Sequence, residues 1–570
     1  MSGYGTTLSD AGAHTGSLEQ ALLDLRSQVK SLSLAKGLPG ADDGEVARRD
    51  VLDQLNDFVL PRVRRTDVPM LIAVAGSTGA GKSTLVNSLV GEQVTTTGVR
   101  RPTTNSPVLA CNPADTEWFS EASFLPTLPR VRQEGLAMPG KDGMLVLAAS
   151  ECMPPGVALL DTPDVDSVVS THHEFAAKFL DAADLWVFVT TSARYADARV
   201  WEFLQVARDR DTSLAVVLSR TPPRGEQQLV RHFDAMLGAN GLDGAARFTI
   251  PETDQVTSGR FTGGTVDMVR MFLADVAGEL GLRSTVTRRT FNGVLESFRT
   301  RVPELARQVE IQQEVRDRLT AVPNRVYSEV REQLRTTARD GSLLHGNLLA
   351  RWRDLAASGE LTPSLRRRMS RREQPTDGAR VQGLAEAIAD ALTALVVSGA
   401  ERAVDRIRVE WSRVEGGSEL ATRHDLTSVG DDFSERARAS ITEWQRGVVE
   451  LVSSDGVAKR TAARLVTYDK EAFALVLTVG LLGFGITETS GNGAAVAGAA
   501  VPRRLLRSLF GAESLRSIGD QASRDLDDRI TTLLEGEKQR YADALSAANL
   551  PAETAAVQLY QAIYNIEIVR

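Results

Sequence analysis

Residues 71–85 read LIAVAGSTGAGKSTL: an apolar run, a glycine-rich turn and the start of a helical pattern. Leu71–Ala75 fit a buried strand, and Leu85, Val86 and Leu89 recur at helical spacing. Between them Gly76, Gly81, Lys82 and Ser83 satisfy G-x-x-x-x-G-K-[ST], a phosphate cradle. Without Cβ atoms at Gly76, Gly79 and Gly81, backbone N–H groups can close on phosphate oxygens. The helix that starts near Lys82 turns its positive end toward the same phosphates. Lys82 reaches the β/γ-phosphates and the Ser83 hydroxyl is a ligand for Mg²⁺, while Ser77, Thr78, Ala80 and Thr84 complete the loop.

Outward from this loop, 570 residues exceed one core and call for about two to four domains. A hydrophobic share of 42% with 25% charged residues fits soluble globular domains. The net charge of −8 argues against nucleic-acid binding by the chain as a whole. Two cysteines, Cys111 and Cys152, supply neither a disulfide framework nor a metal cluster and suit a reducing cytosol. The first residues, MSGYGTTLSDAGAHTGS, lack a basic segment followed by an apolar one, so no secretory signal is expected.

Residues 1–16 read as a disordered Gly/Ser/Thr tail. Residues 17–66 carry two helical patterns, Leu22/Leu25/Val29/Leu32 and Val51/Leu52/Leu55/Phe58/Val59, separated by a Gly/Pro/Asp linker. They are expected to pack with helices from the far end of the chain. Residues 67–283 alternate β-rich runs with helices, the pattern of a mostly parallel sheet covered on both faces. Expected strands are Met70–Ala75, Val108–Cys111, Val157–Asp161, Leu185–Val189, Leu214–Leu218 and Arg247–Ile250. The fold class is thus an α/β nucleotide domain whose phosphate loop lies at the carboxyl end of the first strand.

Residues 284–570 change to long amphipathic helices, with Phe291/Leu295/Phe298/Val302/Leu305/Val309, Leu384/Ile388/Leu395, Val404/Ile407/Trp411 and Leu526/Ile530/Leu533 at near-heptad spacing. A large all-α bundle or stalk follows. Two stretches stand out. LRRRMSRR, Leu365–Arg372, reads either as a binding run for phosphates or anionic lipid, through Arg366–Arg372, or as a solvated helix end. Ala472–Ile486 carries no charge and leads through TETSGN to GAAVAGAAV, then Arg503, Arg504 and Arg507. As a helix the first run would be roughly 22 Å long, short of a ~30 Å bilayer core. Two readings fit residues 472–501: a hairpin inserted part-way into one leaflet, or a hairpin buried in the helical core.

The phosphate loop needs an acidic partner and a γ-phosphate sensor. Asp161 ends the apolar strand of GVALLDTPD, placed to hold Mg²⁺ directly or through water. GVRRPTTNSP, residues 98–107, offers Thr103 and Thr104 as hydroxyls for the metal and γ-phosphate.

GSTGAGKST, RRPTT and LLDTPD resemble, in order, the motifs of Era-like and dynamin-like GTPases. With the helical half and its apolar hairpin, the chain looks most like bacterial dynamin-like proteins. The resemblance implies a GTP-dependent mechanoenzyme that associates through its GTPase domain, as homo- or hetero-oligomer, and remodels or tethers membrane. It also implies a cytoplasmic protein, peripheral at the inner face of the cell membrane. By motif position it carries Lys82 onto phosphate binding, Ser83 onto Mg²⁺, Thr103 or Thr104 onto switch I and Asp161 onto the start of switch II.

Several positions depart from the pattern. Asp164 replaces the switch II glycine, Val165 follows it, and Gly79 replaces a residue that helps recruit a monovalent cation. Ser219-Arg220-Thr221-Pro222 stands where N/T-K-x-D is expected. There Ser219 could offer a hydroxyl and the Arg220 stem could pack on the base, so ATP stays beside GTP as the nucleotide. Arg194 reads as a charge-neutralising arginine or as an ordinary partner of Asp197. His172 and His173, adjacent on a helix, point in different directions. The competing function is a signalling or assembly nucleotidase whose helical half docks proteins and whose apolar hairpin is core.

Overall fold

The computed structural model describes residues 7–65, 68–97, 107–121, 124–125, 129–134, 144–163, 179–278, 280–357, 366–367, 375–456, 467–468, 470–484 and 512–570. The chain divides into two compact units. One holds Met1–Ser33, Asp42–Glu310 and Ala552–Arg570; the other holds Leu34–Ala41 and Ile311–Pro551.

The first unit is built on an eight-stranded sheet in the order β3-β4-β2-β5-β1-β6-β7-β8. The strands are β1 Met70–Gly76, β2 Val108–Cys111, β3 Arg130–Glu134, β4 Leu145–Ala149, β5 Val157–Asp161, β6 Leu185–Thr191, β7 Ser213–Thr221 and β8 Ala246–Pro251. Every adjacent pair is parallel except β2 with β5. Strands β1, β5 and β6 are buried along their whole length, as a sheet covered on both faces demands. Leu71, Ala73 and Ala75 face one core with Trp186 and Phe188, and Ile72 and Val74 face the other with Leu85 and Val86. β3 and β4 extend the six strands expected from sequence. β3, RVRQE, is an edge strand with few apolar residues, so alternation with a buried face is weak there.

Helices also belong to this unit. The helix Thr7–Ser31 begins inside the span read as a tail, which corrects that reading for residues 7–16. Single glycines inside a helix cost only about 1 kcal/mol each, which the longer helix absorbs. This helix packs against Ala555–Val569 from the far end of the chain. Arg62 grips Asp184 with two hydrogen bonds of 2.8 and 2.7 Å, and Asp184 also accepts from Leu71 N at 2.8 Å at the foot of β1. Asp50 accepts from Arg210 at 2.8 Å and from Arg301 at 2.5 Å, and Arg210 also pairs with Asp181. The boundaries 17–66 and 284 therefore do not mark the compact units. Amphipathic period shows that a face is covered, not which element covers it.

Among the described residues the second unit is helical, with one two-stranded ribbon, Arg366–Arg367 against Thr467–Tyr468. Its core gathers Leu384, Ile388, Ile407 and Trp411 from Pro375–Trp411, Phe433, Ile441 and Trp444 from Phe433–Leu451, and Ile518 and Ile530 from Ala512–Ala547. The buried indoles are satisfied: Trp411 Nε1 donates to Leu319 O at 3.1 Å and Trp444 Nε1 to Ala522 O at 2.8 Å. The uncharged run lies on the helix Lys470–Phe484, and Phe473, Leu475, Val476, Leu477, Val479 and Leu482 are buried in the same core. Residues 472–482 thus lie in the helical core, as the second of the two readings expects; residues 485–501 lie outside the described residues. Among the described residues one helix, Gly378–Trp411, is long and apolar enough to cross a bilayer, and it carries much of this core.

Candidate nucleotide site

Strand β1 delivers the phosphate loop to the carboxyl edge of the sheet, and the helix Lys82–Val90 follows at once. Gly76, Gly79 and Gly81 hold φ of 146°, 72° and 93°, the region that favours glycine. Gly76 also touches β6: a Cβ there would stand 1.9 Å from Val189 O. Ser77 N donates to that carbonyl at 3.1 Å, which fixes the loop's first turn, and Ala80 N donates to Ser77 O at 3.1 Å. Lys82 is buried, its Nζ donating to Gly76 O at 3.0 Å and Ser77 O at 3.2 Å. A triphosphate would offer the ammonium stronger, charged acceptors than these carbonyls. Ser77 and Ala80 are buried, while Thr78, Gly79, Gly81, Ser83 and Thr84 are half-buried around the loop mouth.

Asp161 ends β5, beside β1, and is fully buried. The next residue, Thr162, ties back to β1 through its N and Oγ1, which reach Val74 O at 3.2 and 3.1 Å. Thr95 Oγ1 donates to Asp161 Oδ2 at 3.1 Å. Sequence reasoning passed over Thr95, which sits at the start of a VTTT run, residues 94–97. Its place is set by Asn87 of the phosphate-loop helix. Asn87 Oδ1 accepts from Val94 N at 3.0 Å and Thr95 N at 2.9 Å, and its Nδ2 donates to Thr95 O at 2.9 Å. An Asn on the buried face of that helix, with Gly91 a turn later and a Thr run beginning eight residues on, is the signal that could have found it. A buried carboxylate with neighbouring hydroxyls is an oxygen donor set, which suits a hard cation such as Mg²⁺. Thr103, Thr104, Asp164, His172 and His173 lie outside the described residues.

At the base-reading end, Ser219 is buried, and its hydroxyl lies 2.8 Å from Ala80 O and 3.0 Å from Thr190 O. It braces the phosphate loop against β7, so its proton is committed to protein carbonyls rather than to a base. Arg220 is exposed with φ 53°, at the register shift between β7 and β8. Arg194 is exposed on the turn after β6, and Asp197 caps the helix Ala198–Asp209 by accepting from Arg199 N at 3.1 Å. Cys111, buried in β2, has its thiol pushed up to about 11 by burial, and Cys152 is exposed.

A phosphate loop, a buried strand-end acid and a mostly parallel sheet define a P-loop nucleotide domain. Residues 72–220 match the Dynamin family. A probable transmembrane GTPase, FZO-like and chloroplastic, from Arabidopsis thaliana is 26% identical over 164 residues, 29% of this chain and 16% of that protein. The chain therefore spans about a sixth of that relative's length. A solved structure described as an oligomerised bacterial dynamin pair, for long-range sensing and tethering of membranes, aligns with a TM-score of 0.44. It is 11% identical and covers 94% of this chain and 96% of its own. A second structure of such a pair aligns at 0.42 with 10% identity, covering 95% and 96%.

Proposed function

We propose that the protein binds and hydrolyses GTP with Mg²⁺, and that the nucleotide state governs association of its GTPase domains and contact with membrane. The observation that carries this reading is the Dynamin family match over residues 72–220, laid on a loop that presents Lys82 and Ser83 at the edge where Asp161 ends β5. Mg²⁺, when bound, neutralises charge on the β- and γ-phosphate oxygens. Ser83 and Asp161 would hold it, with Thr104 as a further hydroxyl. The loop amides bind the phosphates, Lys82 balances their charge, and Thr95 orients the Asp161 carboxylate. Thr103 or Thr104 would sense the γ-phosphate.

Membrane contact is proposed through the segment 485–507, with Arg503, Arg504 and Arg507, and through Arg366–Arg372, at the cytoplasmic face of an anionic membrane. The Arabidopsis relative, a probable transmembrane GTPase, is consistent with that setting. Burial of Phe473–Leu482 favours a second reading, in which the helical half is a protein-docking module. GTP and ATP hydrolysis, each measured with and without anionic liposomes, tests both. Hydrolysis of neither nucleotide sinks the enzyme reading. Protein that stays in the supernatant with liposomes in every nucleotide state leaves the docking reading.

A further inference from the structure

Strand β7 ends without the carboxylate that a guanine reader needs. Ser219 is occupied by Ala80 O and Thr190 O, and Pro222 stands where the acid is expected. Guanine presents two adjacent N–H donors on one edge, and an ionised carboxylate accepts both. Adenine presents an acceptor on that edge and would be repelled. If the site prefers GTP, the acid has to come from another element at the same mouth.

The neighbouring strand supplies one. β8 pairs with β7 in parallel register, Ser219 beside Ile250 and Thr221 beside Pro251. The ladder runs one residue further, because Glu252 N donates to Thr221 O at 3.0 Å. Ile250 lies in the core shared with Ala80, Leu85 and Val86, the face of the phosphate-loop helix. Strand alternation returns Glu252 to that face, the one from which Ser219 reaches Ala80. The short loop from Glu252 is also fastened at its far end. Thr262 N donates to Gln255 O at 3.1 Å, Phe261 N to Ser88 Oγ at 2.8 Å, and Asn87 Nδ2 to Gly259 O at 3.2 Å. The Phe261 ring lies 3.8 Å from where a Cβ on Gly81 would stand. The loop is thus tied to β7 on one side and to the phosphate-loop helix on the other, with the Glu252 side chain exposed between them.

We propose, resting on the GTP reading above, that Glu252 is the specificity residue for guanine, standing in from β8 for the acid missing after β7. The test is competition of GTP, ITP, XTP, ATP and tripolyphosphate against a fluorescent GTP analogue, for wild type, Glu252→Gln and Asp254→Asn. In wild type GTP outcompetes ITP, which lacks the 2-amino donor, and ATP. Glu252→Gln weakens GTP roughly ten- to hundredfold, the worth of a charged hydrogen bond. It strengthens XTP, whose C2 carbonyl accepts from the new amide. Tripolyphosphate competes equally in all three proteins, which shows that the phosphate cradle is intact. An unchanged GTP-to-XTP ratio in Glu252→Gln overturns the assignment, and so does a switch produced by Asp254→Asn instead. Wild type that binds GTP and ATP equally fails earlier, on the GTP reading itself.

Discussion

Replacing Gly76 by Ala isolates the closest approach in the phosphate loop. The added methyl would stand 1.9 Å from Val189 O, 2.7 Å from Val189 C and 2.9 Å from Val189 N, all backbone atoms of β6. No rotamer relieves a backbone clash, so β1 and β6 must separate by roughly 1.5 Å at the Gly76–Val189 pair to regain ordinary van der Waals contact. That opening loses the Ser77 N to Val189 O bond, worth about 1 kcal/mol. The φ of 146° adds about 1–2 kcal/mol of strain for a residue with a Cβ. Overpacking adds about 1–3 kcal/mol. The sum, ~3–6 kcal/mol, is a large part of a domain's usual ~5–15 kcal/mol. It lowers Tm by roughly 6–24 °C, at about 2–4 °C per kcal/mol. Gly91→Ala is the matched control: φ is 93° and nothing lies within 4 Å, so only backbone strain of about 1 kcal/mol remains. Thermal melts followed by circular dichroism, with fluorescent triphosphate binding alongside, compare the two. A Gly76→Ala Tm within 2 °C of Gly91→Ala, on the order of the ~1 kcal/mol control effect, refutes the steric reasoning.

Lys82→Ala is expected to lower triphosphate affinity at least ~100-fold, the loss of a charge-assisted contact, while the melt moves little; retained affinity contradicts the site. Thr95→Val removes the hydroxyl that holds Asp161 Oδ2. It should raise the Mg²⁺ concentration needed for half-maximal binding by roughly tenfold, and an unchanged Mg²⁺ titration argues that Thr95 is only packing. Thiol labelling at pH 7 should consume one cysteine in the native protein, the exposed Cys152, and both after denaturation, because burial holds the Cys111 thiol up near 11. Rapid native labelling of both contradicts the placement of β2. Leu477→Ala should destabilise the lipid-free protein by about 2–5 kcal/mol, since the side chain is fully buried; a change under about 0.5 kcal/mol would mean the helix Lys470–Phe484 is not core.

The nucleotide domain was legible because its strands are buried on both faces and so read as continuous apolar runs. Five of the six expected strands stand out that way, β8 being a half-exposed edge strand, and β2 and β5 match residue for residue. β3 escaped because an edge strand has a partner on one side only, so its sequence need not be apolar. The phosphate loop was legible for a different reason. Its glycines are imposed by backbone contacts such as Gly76 on Val189, and the motif records that constraint. Thr95 left only a faint mark in the sequence, an Asn ahead of a glycine and a Thr run, because its role depends on Asn87 holding the 94–95 backbone through side-chain hydrogen bonds.

The apolar run after residue 470 shows where composition stops deciding. A 15-residue uncharged stretch states only that water is excluded, and lipid tails and a protein core exclude it alike. The decision rests on what surrounds the helix: it packs on Pro375–Trp411, Phe433–Leu451 and Ala512–Ala547, whose Ala437, Ile441, Trp444, Val448, Leu515, Ile518 and Ala522 belong to the same apolar core. Those residues recur at helical spacing far away in sequence, and each pattern alone only asks for a partner. Together they leave residues 472–482 no unmet apolar face to offer a bilayer, so any lipid contact by this helix first requires its core to open. Lipid binding by wild type that Leu477→Ala enhances would reveal such opening, because the weakened core releases the helix more readily. Binding that Leu477→Ala leaves unchanged places the contact elsewhere, in the arginine-bearing segments.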